Sequence, residues 1–417
     1  MNAAFRFLTV VVSCALAASL SAAPTDWPQW RGPDRDGLSK ETGLLKEWPK
    51  QGPPLAWKAS GVGKGYSTVS VVDDRIFTIG DLDDGTQVIA LNAKTGKILW
   101  TSKLGKGGAV GWGGYEGTRS TPATDGQLVF AVGQWGEFVC VQAADGKEVW
   151  RKDLIQDFGA PRPEWGFAES PLLDGDKVLM TPGGPQGAVV ALNKKTGAVI
   201  WRSKDFRDPA HYSSIIKADI DGVPQYIQLT EQSVVGLGAN DGKVLWKAPR
   251  RGSTAVIPTP IYADHMVYVT SGYGIGDNLF RINHQSGMFS AQQVYANKVM
   301  VNHHGGAIRV GDYVYGHSDN KGWTCQELKT GKEMWQEKSK LGKGSIAYAD
   351  GHFYLRDEDG KGTVALIEAS PAGYKEHGRF DPPDRSDKNS WSHPVIAGAR
   401  LYLRDQDVLL CYEIKGR

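Results

Sequence analysis

Residues 88–100 read VIALNAKTGKILW, and the pattern returns in the stretches that end at Trp150, Trp201, Trp246 and Trp335. Trp57 stands ahead of the series. Successive intervals between these tryptophans are 43, 50, 51, 45 and 89 residues, the last being two steps of the same size. A fixed period of this length marks a repeat architecture, in which each unit buries its apolar faces against its neighbours. A hidden copy is expected to end near Ala291, with Asn283, Ser286 and Gly287 in the Asn and Thr-Gly slots. A seventh, degenerate copy is expected near Phe380, and residues 400–417 open an eighth unit without its last strand.

Within a unit the apolar period is two. In the second unit, residues 119–123, 127–133, 137–143 and 147–151 alternate apolar and polar side chains between turn residues, which predicts four short strands. Asp-Gly pairs such as Asp125-Gly126 and Asp145-Gly146 suit tight hairpin turns at positive φ. No stretch sustains a 3.6-residue apolar period. The expected fold is all-β: an eight-bladed propeller of four-stranded antiparallel blades. The eighth blade borrows its missing strand from residues 53–58, which closes the ring and removes its edges. The predicted organisation is a signal peptide over residues 1–23, an N-terminal extension over 24–52, and the propeller over 53–417.

The stretches ALNAKTGKILW (90–100) and ALNKKTGAVIW (191–201) resemble the A-x-D-x-x-T-G-x-x-x-W repeat of the pyrroloquinoline-quinone-type propellers. The resemblance covers residues 53–417, and DWPQWRGP (26–33) resembles the leader segment of exported bacterial members. It implies the propeller fold without choosing a function. Members range from quinoprotein alcohol dehydrogenases to non-catalytic proteins, among them the propeller lipoprotein of the outer-membrane barrel-assembly machinery. The dehydrogenases stack the quinone between a tryptophan and a ring of two adjacent cysteines, hold calcium with Glu and Asn, and use an Asp as base. This sequence has no Cys-Cys pair and no C-x-x-C-H haem motif. Pyrroloquinoline quinone with calcium is therefore the alternative expectation, in an alcohol or polyvinyl-alcohol dehydrogenase. The first expectation is a non-catalytic platform for an envelope protein, a peptide or a small-molecule ligand.

Composition narrows the partners. The 48 basic residues nearly balance the 46 acidic ones, leaving a net charge of +2, so nothing suggests a nucleic-acid or anionic membrane surface. Arg6, the apolar run from Phe7 to Leu20 and the small residues up to Ala23 have the layout of an export signal, which predicts a periplasmic or secreted protein. Val11-Val12-Ser13-Cys14 also resembles a lipobox, which would make Cys14 a lipid anchor, although the apolar run continues past it. No later apolar run is long enough to span a bilayer, and a monomer is expected.

The repeat register also interprets the cysteines. Cys140 and Cys325 lie ten residues before their unit's tryptophan, where other units have Ala90, Ala191 and Gly236, and Cys411 aligns with them. One small-residue slot on separated blades predicts buried, unbridged thiols. By the resemblance, the periodic tryptophans dock between blades. Inner-strand dipeptides Thr121-Pro122, Ser170-Pro171, Thr259-Pro260 and His393-Pro394 point to a ligand site at the channel mouth. Its candidates are Tyr66, Arg119, Glu169, His304, Trp391 and His393, with Ser67, Ser120, Ser213 and Ser392 beside them and His211 and Tyr212 near the same level. The loops over residues 101–117 and 152–166 bring Trp112, Tyr115 and Trp165 to this mouth. Aromatic, cationic, acidic and imidazole groups would then converge, as a small-ligand site requires. Period-two geometry predicts that His303 and His304 face opposite ways. GYGIG (272–276) reads as a hairpin tip, and the acidic runs beginning at Asp81 and Asp357 read as turns.

Overall fold

The computed structural model describes residues 25–416. The expected signal peptide and Cys14 lie outside the described residues. No described helix is long and apolar enough to cross a membrane.

Eight four-stranded antiparallel blades form the ring, with a short fifth strand added to blade seven. Blade one comprises Ser70–Val72, Arg75–Leu82, Gly85–Asn92 and Ile98–Gly105. Blades two to seven span residues 123–153, 172–202, 216–249, 261–297, 307–337 and 344–380. Blade eight takes three strands from residues 395–413 and its outermost from Leu55–Ser60, where Trp57 lies opposite Cys411. The ring closes as the incomplete eighth repeat requires.

The repeated T-G-x-x-x-W pattern has a physical cause at five blade junctions. Indole N–H groups of Trp57, Trp100, Trp150, Trp201 and Trp335 donate to carbonyls of Ala93, Ala143, Lys194, Ala239 and Ser370 on the following blade. Each of the first four rings lies against the turn glycine of that blade, Gly96, Gly146, Gly197 or Gly242. A Cβ there would fall 2.4–2.9 Å from the indole, and φ is positive at all four. Only glycine meets both demands.

Blade five departs from the expected pattern. Its outer hairpin, Gly276–Gln285 with Met288–Asn297, is longer than the repeat, so Asn283, Ser286 and Gly287 belong to the hairpin's far end. The tryptophan position falls to Tyr295, which lies opposite Leu279 and donates its hydroxyl to Leu328 O on blade six. Ala291 is not the end of the unit. Trp246, facing the altered blade, donates instead to Gln225 Oε1 within its own blade at 2.8 Å.

The extension is integral to the ring. Trp27 pairs with Val71 of blade one, and Thr124 N of blade two donates to Pro28 O. Leu38–Ser39 adds a parallel strand to the inner edge of blade seven. Buried Arg35 reaches Ser170 O and Pro171 O of blade three, and buried Arg31 reaches Ala307 O of blade six. Desolvation lowers these guanidinium pKa values to about 9 and about 10. The contacts begin at the N-terminal ends of the inner strands, at Ser170, Pro171 and Ala307, and continue to C-terminal ends at Thr124 and Ala349. The segment therefore plugs one end of the channel and leaves the other open.

Candidate functional site

Strand registers define a row of equivalent positions, one per blade, at the open end of the channel. In each blade the tryptophan position is followed through the paired strands to its inner-strand partner, and four residues are counted back. The row is Tyr66, Arg119, Ala168, Tyr212, Ile257, His304, Lys343 and Trp391. Every one of these residues lines a cavity of about 390 Å³. Trp30 and His393 form its floor, with ring centroids 4.6 Å apart; Trp30 comes from the plug, where its indole donates to Thr259 Oγ1. The volume lies near the lower end of the range for small-molecule sites.

One wall is aromatic. Trp391 lies 4.6 Å from Tyr66 and 4.8 Å from Tyr115, centroid to centroid, at interplanar angles of 37° and 44°. The Arg119 guanidinium sits over Tyr66 and Tyr115 at 5.7 and 5.9 Å and donates to Trp165 O at 3.2 Å. No carboxylate of the described residues pairs with it, and burial lowers its pKa. A guanidinium packed among rings with no counter-ion is a ready partner for a carboxylate or sulfate.

The adjoining wall, where the His304 ring lies 5.0 Å from that of Trp391, is polar and internally neutralised. Glu358, 6% exposed, is held by His304 and by Lys343 Nζ at 3.5 Å. Burial alone would raise its carboxyl pKa, but the hydrogen bond to His304 and the charge of Lys343 outweigh it and hold the group below the usual range. Lys343 also reaches His303 Nδ1, whose other nitrogen faces Asp319 at 3.2 Å. Burial and the adjacent Lys343 push the His303 pKa down to about 4. His393, lowered to about 3 by burial and Arg31, is neutral and donates through Nε2 to His304 O.

Five candidates read from the sequence, Tyr66, Arg119, His304, Trp391 and His393, are brought together here. Glu169 is not. It lies one residue beyond the row, in register with buried Ser120 and Ser392, and its carboxylate turns into the blade to accept from Thr181 N and Thr181 Oγ1. His303 and His304 both line the cavity, because residues 301–304 are irregular and alternation does not apply. His211 accepts from Val256 N outside the lining, whereas Tyr212 lies within it. Tyr273, on the hairpin tip, lines the mouth, as does Glu358 from the second acidic turn. Lys343, Glu358 and Trp30 had no signal in the alternation. Counting three residues back from Pro122, Pro171, Pro260 and Pro394 lands on Arg119, Ala168, Ile257 and Trp391, a rule that would have found half the row.

The family model described as outer membrane protein assembly factor BamB, a PQQ-like repeat model, matches residues 84–337. The chain belongs to this family. BamB of Burkholderia pseudomallei (strain K96243) is 26% identical over 312 residues, covering 63% of this chain and 76% of that protein. Quinohemoprotein alcohol dehydrogenase ADH IIB of Pseudomonas putida is 28% identical over 177 residues, covering 39% of this chain and 23% of that enzyme. In structure, the quinohemoprotein alcohol dehydrogenase of Comamonas testosteroni superposes with a TM-score of 0.63 at 12% identity, over 96% of this chain and 82% of that one. This last likeness concerns the fold alone.

A quinone with calcium is the group expected if the chain were a quinoprotein dehydrogenase, and the donor set does not fit that pair. Among the described residues no three His, Cys, Asp or Glu side chains gather to hold a metal ion. Glu358, the carboxylate that lines the cavity, is already committed to His304 and Lys343. Cys140, Cys325 and Cys411 are buried within blades two, six and eight and do not line the cavity.

Proposed function

We propose that this protein is an exported, non-catalytic propeller of the cell envelope that binds a small anionic ligand in the channel mouth and offers its rigid ring to an envelope partner. The observation that carries this reading is Arg119: a cation in an aromatic-lined cavity that lacks a carboxylate counter-ion. Closure of the channel floor by Trp30 and His393 supports it, since a bound molecule has a bottom to rest on. The relative named as an outer membrane protein assembly factor supports the envelope setting and a protein partner. A periplasmic or secreted monomer, released from its signal near residues 21–23, completes the proposal.

The dehydrogenase reading has the partial likeness to the quinohemoprotein enzyme in its favour and the mismatched donor set against it. One titration separates them. Pyrroloquinoline quinone, with and without calcium, is added to the purified protein while quinone absorbance, tryptophan fluorescence and dye-linked alcohol oxidation are followed. The platform reading expects no alcohol oxidation and no calcium dependence. Calcium-dependent quinone binding with turnover would defeat it. For an anionic ligand that does bind, Arg119→Ala or Trp391→Ala should weaken affinity by about 1–3 kcal/mol, the usual cost of a lost charged hydrogen bond or aromatic anchor.

A further inference from the structure

Resting on the anion-binding reading, we infer that the ligand is an acidic oligosaccharide, with one sugar in the cavity and the next on Trp112. Three observations carry this. The first is the shape of the aromatic wall. Tyr66, Tyr115 and Trp391 meet at 37°, 44° and 68°, so no two of them form the parallel slot that a flat fused-ring acid needs. A curved wall of single ring faces suits a puckered sugar, which stacks one C–H face and presents hydroxyls around its edge.

The second observation is the placement of charge. Arg119 belongs to blade two and His304 to blade six, opposite each other across an eight-bladed ring. Glu358 neutralises the polar wall by holding both His304 and Lys343. The cavity thus offers a free cation at one end and paired donors and acceptors at the other. That matches a single carboxylate on an otherwise neutral, hydroxyl-rich body, and it gives a second carboxylate no free partner. Ser170 and Ser214 add to the polar lining. Each hydroxyl oxygen accepts a backbone N–H, from Thr121 and Ser170 respectively, and its own O–H remains to donate.

The third is Trp112. It is 66% exposed at the cavity rim, braced edge-on by Trp165 at 5.5 Å. A large indole left in water beside a binding site is a second stacking platform. Its place beside the mouth fits a chain that continues outward from the first sugar.

Calorimetry with galacturonic acid and its dimer and trimer, the matching galactose series, galactose 6-sulfate and 2-naphthoate tests the inference. The acidic trimer should bind at least about tenfold tighter than its neutral counterpart, and Arg119→Ala should abolish that preference. Affinity should rise about three- to tenfold from one acidic sugar to two, and this gain should vanish in Trp112→Ala. Binding of the sulfated sugar in place of the uronate also supports an anionic saccharide and names its acidic group. If naphthoate binds through Arg119 while acidic sugars match neutral ones, the saccharide inference is wrong and the anion site stands. If the length series is flat in the wild type, the second sugar is wrong. If no anion binds at all, both readings fall.

Discussion

Glu169 shows what a single buried carboxyl does when no cation pairs with it directly. Desolvation raises its pKa from 4.5 to about 7, against opposing hydrogen bonds from Thr181 and the more distant charge of Arg35. The folded protein then holds a proton that the unfolded chain has released over that interval. This group's contribution to stability is full below about pH 4.5 and is lost as pH rises through 7. The loss is on the order of 3 kcal/mol. Glu169→Gln keeps the shape and an acceptor for Thr181 N but cannot ionise. Denaturant midpoints measured from pH 4.5 to 8 should fall less steeply in the variant than in the wild type; parallel curves would show that the carboxyl is not held protonated. His393 acts with the opposite sign, because its neutral form is favoured down to about pH 3 and acid must force a charge into the cavity floor. The same residue marks a limit of sequence reading. Glu169 and Ala168 are adjacent, and one step of register decides which of them meets the ligand. That step was legible from the prolines of four blades. In blades six and seven Ala307 and Ile346 stand where proline would, so His304 and Lys343 could not be counted in the same way.

At the scale of the strand, the repeat made the fold legible because one slot recurs with one physical demand. Cys140, Cys325 and Cys411 lie opposite Trp150, Trp335 and Trp57, with no exposed surface, and burial pushes their thiols up to about 12. They should resist alkylation in the native protein at pH 8 and react together on unfolding, with no linked pair in non-reducing peptide maps. Labelling of one thiol under native conditions would contradict the shared slot. Blade seven shows why the pattern fades there. Its tryptophan position is Gly378, opposite Leu366, and Trp48 of the extension covers it, packing on Tyr354 and Phe380. An indole supplied from far away in sequence leaves no local trace, so the seventh repeat looked degenerate. Trp48→Ala should cost about 3–5 kcal/mol of stability, as loss of a buried aromatic does. Exposed Trp112→Ala should cost under about 0.5 kcal/mol. Urea denaturation of the two variants side by side distinguishes an anchor from a rim residue.

For the whole molecule, the consequential feature is the plug, which composition and periodicity could not reveal because its partners are backbone groups scattered around the ring. Between Trp27 and Trp48 the chain touches blades one, two, three, five, six, seven and eight. Its contacts are hydrogen bonds from buried arginines and indoles to carbonyls and hydroxyls, each costly to leave unmade once desolvated. A ring of eight blades closed only by the strand at Leu55–Ser60 would leave its channel open at both ends; the plug gives the cavity a floor and ties distant blades together. It follows that covalent continuity across the exposed residues Lys50 and Gln51 is dispensable for the folded state but matters for recovering it. With a protease site engineered there, the cut extension should co-elute with the ring under native conditions, and the cavity should keep its ligand. The unfolding midpoint should then become dependent on protein concentration, because the fold has become a complex of two chains. Release of the peptide from a ring that stays folded would mean that the blades hold together without it, and that Trp30 is an accessory rather than the floor of the site.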